Sequence, residues 1–131
     1  MEDRYLFKAK RIKDAQWIEG YLIYSFTGVP FIITEYDHIL ALVARDEIDT
    51  ETICQCTGLK DKNGKLIWEN DIVDCSDEEC CGYIGWNESE AGFYFNVLLE
   101  DGGFEEEHIY DYQDCIEVIG NKFDNLELLE V

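Results

Sequence analysis

Short runs in which apolar and polar residues alternate, separated by turn-forming residues, recur along the chain, and a period of two marks half-buried strands. Arg4 to Ile12 alternates, with Tyr5, Phe7 and Ala9 on one face and Lys8 and Lys10 on the other. Asp14-Ala15-Gln16 connects it to Trp17–Phe26, rich in aromatic and β-branched residues, where Gly20 suggests a bulge. Thr27-Gly28 makes the next turn, and Val29 to Glu35 forms a third strand. Pro30, the only proline, has no N–H for a ladder and so belongs near the start of that strand or on an edge. From Asp37 to Asp49 the residues Ile39, Leu40, Leu42 and Val43 fit a short helix or a buried strand, and the neighbouring elements favour the strand. A loop over Asp49–Thr52 precedes a short strand, Ile53 to Thr57.

The stretch Thr57 to Val73 reads as a β-hairpin around Asn63-Gly64, a pair suited to a two-residue type I′ turn with both central φ values positive. Counting outward places Lys62 opposite Lys65, Asp61 opposite Leu66, Lys60 opposite Ile67 and Leu59 opposite Trp68, with the tip in water and the base in the core. Gly58 relieves a bend or bulge at the base, and Glu69-Asn70-Asp71 turns the chain into Ile72-Val73. Beyond an acidic loop at Ser76–Glu79, Cys81 to Trp86 and Phe93 to Leu99 read as antiparallel partners across Asn87–Gly92. Phe93, Phe95 and Val97 alternate there against Tyr94, Asn96 and Leu98. Asp101-Gly102-Gly103 turns into Phe104–Tyr112, acidic enough for an edge strand, followed by a strand at Cys115–Gly120 and a helical turn at Asn125–Leu129. Many short strands and no βαβ units predict an all-β chain with a barrel-like or strongly bent antiparallel architecture.

Three pieces of the sequence carry a resemblance. They are T-G-L-K-D-K-N-G-K followed by I-W-E-N-D-I-V, the opening R-Y-L-F-K-A-K-R-I with W-I-E-G after it, and the ending I-E-V-I-G-N-K-F-D-N-L-E-L-L. In this order they resemble the YopX family of phage and prophage proteins. The family usually has Gly where this chain has Asn70 and Pro where it has Leu126. Asn is a mild change at a left-handed position, so the resemblance touches only the local turn geometry there. It implies a small, mostly β protein of phage or prophage origin and names no reaction.

At 131 residues the chain is expected to form one domain spanning 1–131, and its 47% hydrophobic content is ample for a core. The N-terminus carries mixed charge rather than a signal peptide, and no apolar run reaches the roughly 18–20 residues that cross a bilayer. A cytoplasmic protein of a bacterial host is expected, and with it reduced thiols for the six cysteines. The net charge of -20 is uneven. Met1 to Lys65 holds nine basic and eleven acidic residues, whereas Leu66 to Val131 holds one basic and nineteen acidic, a balance of -18. Such a surface serves solubility, or attracts a basic partner while repelling nucleic acid.

Chemistry is sparse. Cys54 and Cys56 share a face if extended, and Cys80-Cys81 beside Cys75 point to opposite faces, so none forms the knuckle that tetrahedral zinc prefers. His38 and His108 lie in polar surroundings with no nucleophile pattern. Glu69, Asp71 and Asp74, and the run Glu105-Glu106-Glu107, are the carboxylate clusters on which a divalent ion would depend, with Asp71 better read as a turn residue. Asp61-Lys62-Asn63-Gly64 lacks the spacing of a calcium loop. Arg4, Lys8, Lys10, Arg11 and Lys13, with Lys60, Lys62 and Lys65, are the basic patches, set in a repulsive overall field for nucleic acid. No catalytic, cofactor-binding or metal-ligating residue is assigned. The expected role is a non-enzymatic accessory interaction module with an unidentified protein partner, or self-association of the basic tip on the acidic flank. The alternatives are an acidic DNA mimic that binds a basic host protein, and a small metal-dependent hydrolase or nuclease.

Overall fold

The computed structural model of the protein describes residues 2–37 and 41–130, with side chains described outside 2, 35–37 and 41–45. The chain forms two compact units, Met1–Cys56 and Thr57–Val131. Strands dominate both, and among the described residues the only helical pieces are short 3-10 turns, as the all-β reading requires. The sheets are antiparallel and open rather than closed into a barrel.

In the first unit, β1 (Phe7–Lys10), β2 (Trp17–Tyr24), β3 (Pro30–Asp37) and β4 (Ala41–Glu47) lie in the order β4-β3-β2-β1, and the start of β5 (Cys54–Lys60) adds to β1. The strand alternative for 37–49 therefore holds over Ala41–Glu47. Pro30 opens β3, where its missing N–H breaks no ladder. The first strand is shorter than its alternation suggests, because Glu2–Tyr5 coils into a 3-10 turn and Leu6 N–H donates back to Asp3 O at 3.0 Å. After Lys10 the chain reverses around Asp14, whose carboxylate accepts from the Arg11 guanidinium and from Gln16 N–H. Gly20 makes no bulge: the register runs unbroken on both sides, and a Cβ there would lie 2.1 Å from Ile33 O. Ala9, Ile32 and Ile48 form the buried centre of this unit, with Phe7, Ile18, Leu22 and Ile53 packed against it.

In the second unit the remainder of β5 pairs with β6 (Leu66–Trp68). A five-stranded sheet holds β7 (Asp71–Cys75), β8 (Cys80–Asn87), β9 (Gly92–Leu98), β10 (Phe104–His108) and β11 (Glu117–Asn121) in the order β10-β9-β8-β7-β11. Ile67, Val73, Cys75, Ile84, Phe95, Ile109 and Ile116 make its core. β10 is an edge strand, as its charge suggests, but it stops at His108, and Ile109–Asp111 turns so that Ile109 enters that core. β11 starts at Glu117, two residues later than the alternation predicts, and its register slips at Ile119. The closing turn falls at Leu126–Leu129.

The hairpin at Asn63-Gly64 differs from its reading in one respect that matters. Asp61 N–H donates to Lys65 O at 2.8 Å and Gly64 N–H to Asp61 O at 3.0 Å, while only Gly64 of the pair has positive φ, at 83°. The loop is thus three residues, Lys62-Asn63-Gly64, a turn followed by a left-handed glycine, and the register shifts by one residue from a two-residue I′ turn. Asp61 sits opposite Lys65, not Leu66, because its side chain closes the turn. The same loop occurs twice more. Ser25 N–H donates to Val29 O across Phe26-Thr27-Gly28, and Leu99 N–H donates to Gly103 O across Glu100-Asp101-Gly102. Each loop ends on a glycine of positive φ, at 87° and 90° respectively. Gly58 also has positive φ, in keeping with a bend at the hairpin base.

The tip is exposed at 62–65, as read, but it is also anchored by hydrogen bonds. Lys62 N–H donates to Ile116 O, Val118 N–H donates to the Asp61 carboxylate, and Asn63 Nδ2 donates to Glu117. Asn70 takes the left-handed φ of 71° that its match to a family glycine implies, its N–H donating to Ile84 O at 2.7 Å. The six cysteines depart from the all-reduced expectation. Cys75 and Cys115 are joined, across a sequence separation of 40, while Cys54, Cys56, Cys80 and Cys81 are in no disulfide. Sequence spacing held no hint of this, because the fold alone brings β7 beside the segment that leads into β11.

Candidate functional site

Residues directly opposite each other in antiparallel strands share a face, so the registers of β8, β9 and β10 define what each side of the second sheet presents. One face carries Ile84 and Phe95 into the core. On the other, Gly85, Tyr94 and His108 form one row and Tyr83, Asn96 and Glu106 the next, with Leu98 and Phe104 beyond. Gly85 leaves room in its row for neighbours. A Cβ there would come within 2.8 Å of Asn96 Nδ2 and 3.2 Å of the Tyr83 ring.

The rings on this face touch one another. Tyr83 meets Phe104 edge to face at 5.0 Å between centroids, and His108 meets Tyr94 at 5.2 Å and Tyr110 at 5.6 Å, both tilted. Tyr110, just past the end of β10, is 71% exposed, and Phe104 is 42% exposed. Carboxylates edge the rings. Asn87 Nδ2 donates to both oxygens of Glu106, at 2.8 and 2.9 Å, which holds that side chain in place. Burial, with the charges of Glu90 and Glu106, pushes the Tyr94 hydroxyl above its ordinary value, so Tyr94 remains a neutral ring and donor at physiological pH. Lys122, the only basic residue after Lys65, lies 3.8 Å over the Tyr83 ring, and burial lowers its pKa. The face already holds one ammonium against an aromatic ring, and its open rings and carboxylates suit further guanidinium or ammonium groups.

The residues singled out in the sequence are distributed differently. His108 closes a strand and meets two tyrosine rings at tilted angles, rather than lying in a polar loop. His38 lies outside the described residues. Glu106 is on the ring-bearing face, whereas Glu105 and Glu107 alternate to the other side. Asp71 opens β7 just past the Glu69-Asn70 turn and is 2% exposed, and its carboxylate binds backbone as read, accepting from Trp68 N–H at 2.8 Å. Among the described residues no three or more His, Cys, Asp or Glu side chains are grouped to hold a metal ion. Cys54 and Cys56 lie buried on β5. Cys80 packs against the core and Cys81 pairs opposite Asp74, on opposite faces as their adjacency requires.

The early basic residues are engaged within the first unit. Lys8 and Lys10 lie over Trp17 at 5.0 and 5.4 Å, and Arg4 over Tyr5 at 5.1 Å. Arg11 pairs with Asp14, and Lys13 with Asp46 at 3.3 Å. Lys60, Lys62 and Lys65 are exposed around the hairpin loop. An open cavity of about 520 Å³ in the first unit, with Ile12, Pro30 and Ile48 in its walls, carries Lys10 and Arg11 opposite Glu47 and Asp49, a mixed charge that selects no ligand class. Sequence reading passed over Tyr83, Tyr94, Phe104 and Tyr110. The signal for them was the glycine-ended loop at Glu100–Gly102, since counting outward from Leu99 and Gly103 places Tyr94 opposite His108 and Asn96 opposite Glu106.

Comparison with known proteins returns a family model described as YopX protein, matched over residues 7–130. No curated protein matches the chain.

Proposed function

We propose that this chain, which belongs to the YopX family, is a phage- or prophage-derived accessory protein that works in the host cytoplasm as a non-enzymatic interaction module for a basic protein. The observation that supports this reading is the Tyr94, His108 and Tyr110 ring cluster on the edge of a carboxylate-rich sheet. Thr57 to Val131 holds four basic and twenty acidic residues, a balance of -16. A field of that sign speeds the approach of a basic surface, and exposed rings beside carboxylates give arginine and lysine side chains somewhere to rest on arrival.

A narrower reading, in which Asp and Glu stand in for the phosphates of DNA, draws on the -18 of Leu66 to Val131. Under it the chain competes with DNA for the same basic protein. The test is a titration of the chain with an arginine-rich peptide and with a neutral peptide of equal length, at low and high salt. The arginine-rich peptide is expected to bind in a salt-sensitive manner. A Glu106→Gln, Tyr110→Ala double variant is expected to weaken it about tenfold. Equal binding of the neutral peptide, or no change in the double variant, overturns the reading.

A further inference from the structure

Cys75 ends β7 and is fully buried, bonded to Cys115 with the two Cα atoms 5.2 Å apart. Cys80 begins β8 directly opposite Cys75 in the antiparallel register. Opposed residues hold their Cβ atoms about 4.5–5.5 Å apart on one face, and a disulfide needs about 3.5–4.5 Å, so a small closure joins them. Cys80 and Cys115 both pack against the core cluster that contains Cys75. Cys81, the next residue, pairs with Asp74 and projects to the other face. All three cysteines thus belong to or pack against one core cluster, two of them bonded and the third a free thiol across the ladder.

We propose that Cys75 is a shared sulfur, bonded to Cys115 in this structure and transferable to Cys80 by internal thiol–disulfide exchange. Cys80 gives up its proton and the thiolate attacks Cys75 Sγ. The Cys80–Cys75 bond forms as the Cys75–Cys115 bond breaks, and the electron pair leaves on the Cys115 sulfur, which takes up a proton. The numbers of disulfides and thiols are unchanged, so no external oxidant or reductant enters. Burial, then the charges of Glu78, Cys81, Asp74 and Glu107, hold the Cys80 thiol above its ordinary value, and Tyr112 faces it from the segment before Cys115. Exchange is therefore slow at neutral pH and accelerates as pH rises.

The exchange moves the staple. The bonded pair changes from a separation of 40 residues to one of five, across the β7–β8 turn, and the segment from Ile109 to Cys115 is no longer tied to β7. The next residue, Ile116, accepts the Lys62 N–H, so the change lands beside the anchor of the hairpin loop.

The test uses the full oxidised chain, incubated at neutral and at mildly alkaline pH, quenched in acid and mapped by mass spectrometry without reduction. Wild type is expected to show Cys75–Cys80 beside Cys75–Cys115, with more of the former at higher pH, and alkylation of Cys115 roughly tenfold faster than in Cys80→Ser. A second variant, Cys115→Ser, is expected to form Cys75–Cys80 under mild oxidation. Cys75–Cys115 as the sole pair in wild type at both pH values, equal Cys115 alkylation in wild type and Cys80→Ser, or free Cys75 and Cys80 thiols in oxidised Cys115→Ser, overturns the proposal.

Discussion

Replacing Asp61 with alanine is expected to destabilise the second unit by about 4 kcal/mol, because one buried carboxylate satisfies three backbone donors from two parts of the chain. Its Oδ1 accepts from Asn63 and Lys65 N–H and its Oδ2 from Val118 N–H, each at 2.9 Å, and Asp61 is 7% exposed. Alanine leaves the loop amides to water and the Val118 amide without its acceptor, and the hairpin loop loses an anchor on β11. Asparagine preserves one acceptor oxygen and turns an N–H toward the Val118 donor, so Asp61→Asn is expected to cost about half as much. Urea unfolding of the three proteins measures both. A shift under about 1 kcal/mol in the alanine variant would remove the role assigned to this carboxylate.

The same group gives the pH dependence a sign. Burial raises the Asp61 carboxyl, but the N–H groups of Val118, Lys65 and Asn63 and the charge of Lys65 outweigh it, leaving the pKa below its ordinary value of 3.8. A carboxylate depressed in the folded state contributes its stability in full above that value. The contribution is lost as pH falls through the lower folded-state value. Wild type should lose stability over that acid window more steeply than Asp61→Ala.

Gly82→Ala is expected to cost about 3–4 kcal/mol, through a collision rather than a lost bond. Gly82 lies on β8 between Val73 of β7 and Val97 of β9, and a Cβ there would lie 1.9 Å from Asn96 O and 3.0 Å from the Phe95 ring. A backbone carbonyl in a sheet interior cannot retreat without opening the β8–β9 ladder. Gly92→Ala is the internal control, since its Cβ would meet only the Tyr94 ring at 3.7 Å and Glu90 O at 3.8 Å. The control should fall within about 1 kcal/mol of wild type. Equal midpoints for Gly82→Ala and wild type in the same urea titration would contradict the clash.

Alternation made the strands legible, and Phe93-Phe95-Val97 against Tyr94-Asn96-Leu98 named both faces of β9 correctly. Turn chemistry was legible in kind and not in count. Asn63-Gly64 marks a reversal, but Asp61 closes it with its side chain, and a local side-chain bond that competes with the ladder is invisible to a register counted from two residues. Gly20 looked like a bulge because a glycine in a strand signals either irregularity or close backbone approach, and only the neighbouring strand decides between them. Family membership was readable from the hairpin and both ends of the chain. The ring-bearing face was not, because it depends on three strands coming into register, nor was the Cys75–Cys115 pair, which depends on β11 returning to β7.

The recurrence of one loop geometry at Phe26-Thr27-Gly28, Lys62-Asn63-Gly64 and Glu100-Asp101-Gly102 makes these corners interchangeable parts. A cassette moved from one corner to another keeps the strand offset, because the terminal glycine alone supplies the left-handed step. Lys62–Gly64 is the exception, tied by the Lys62 N–H to Ile116 O and by the Asn63 side chain to Glu117. Both other corners point to solvent, with Phe26 fully exposed, so a dye, an affinity handle or an inserted epitope belongs at 26–28 or 100–102, where it disturbs neither apolar centre.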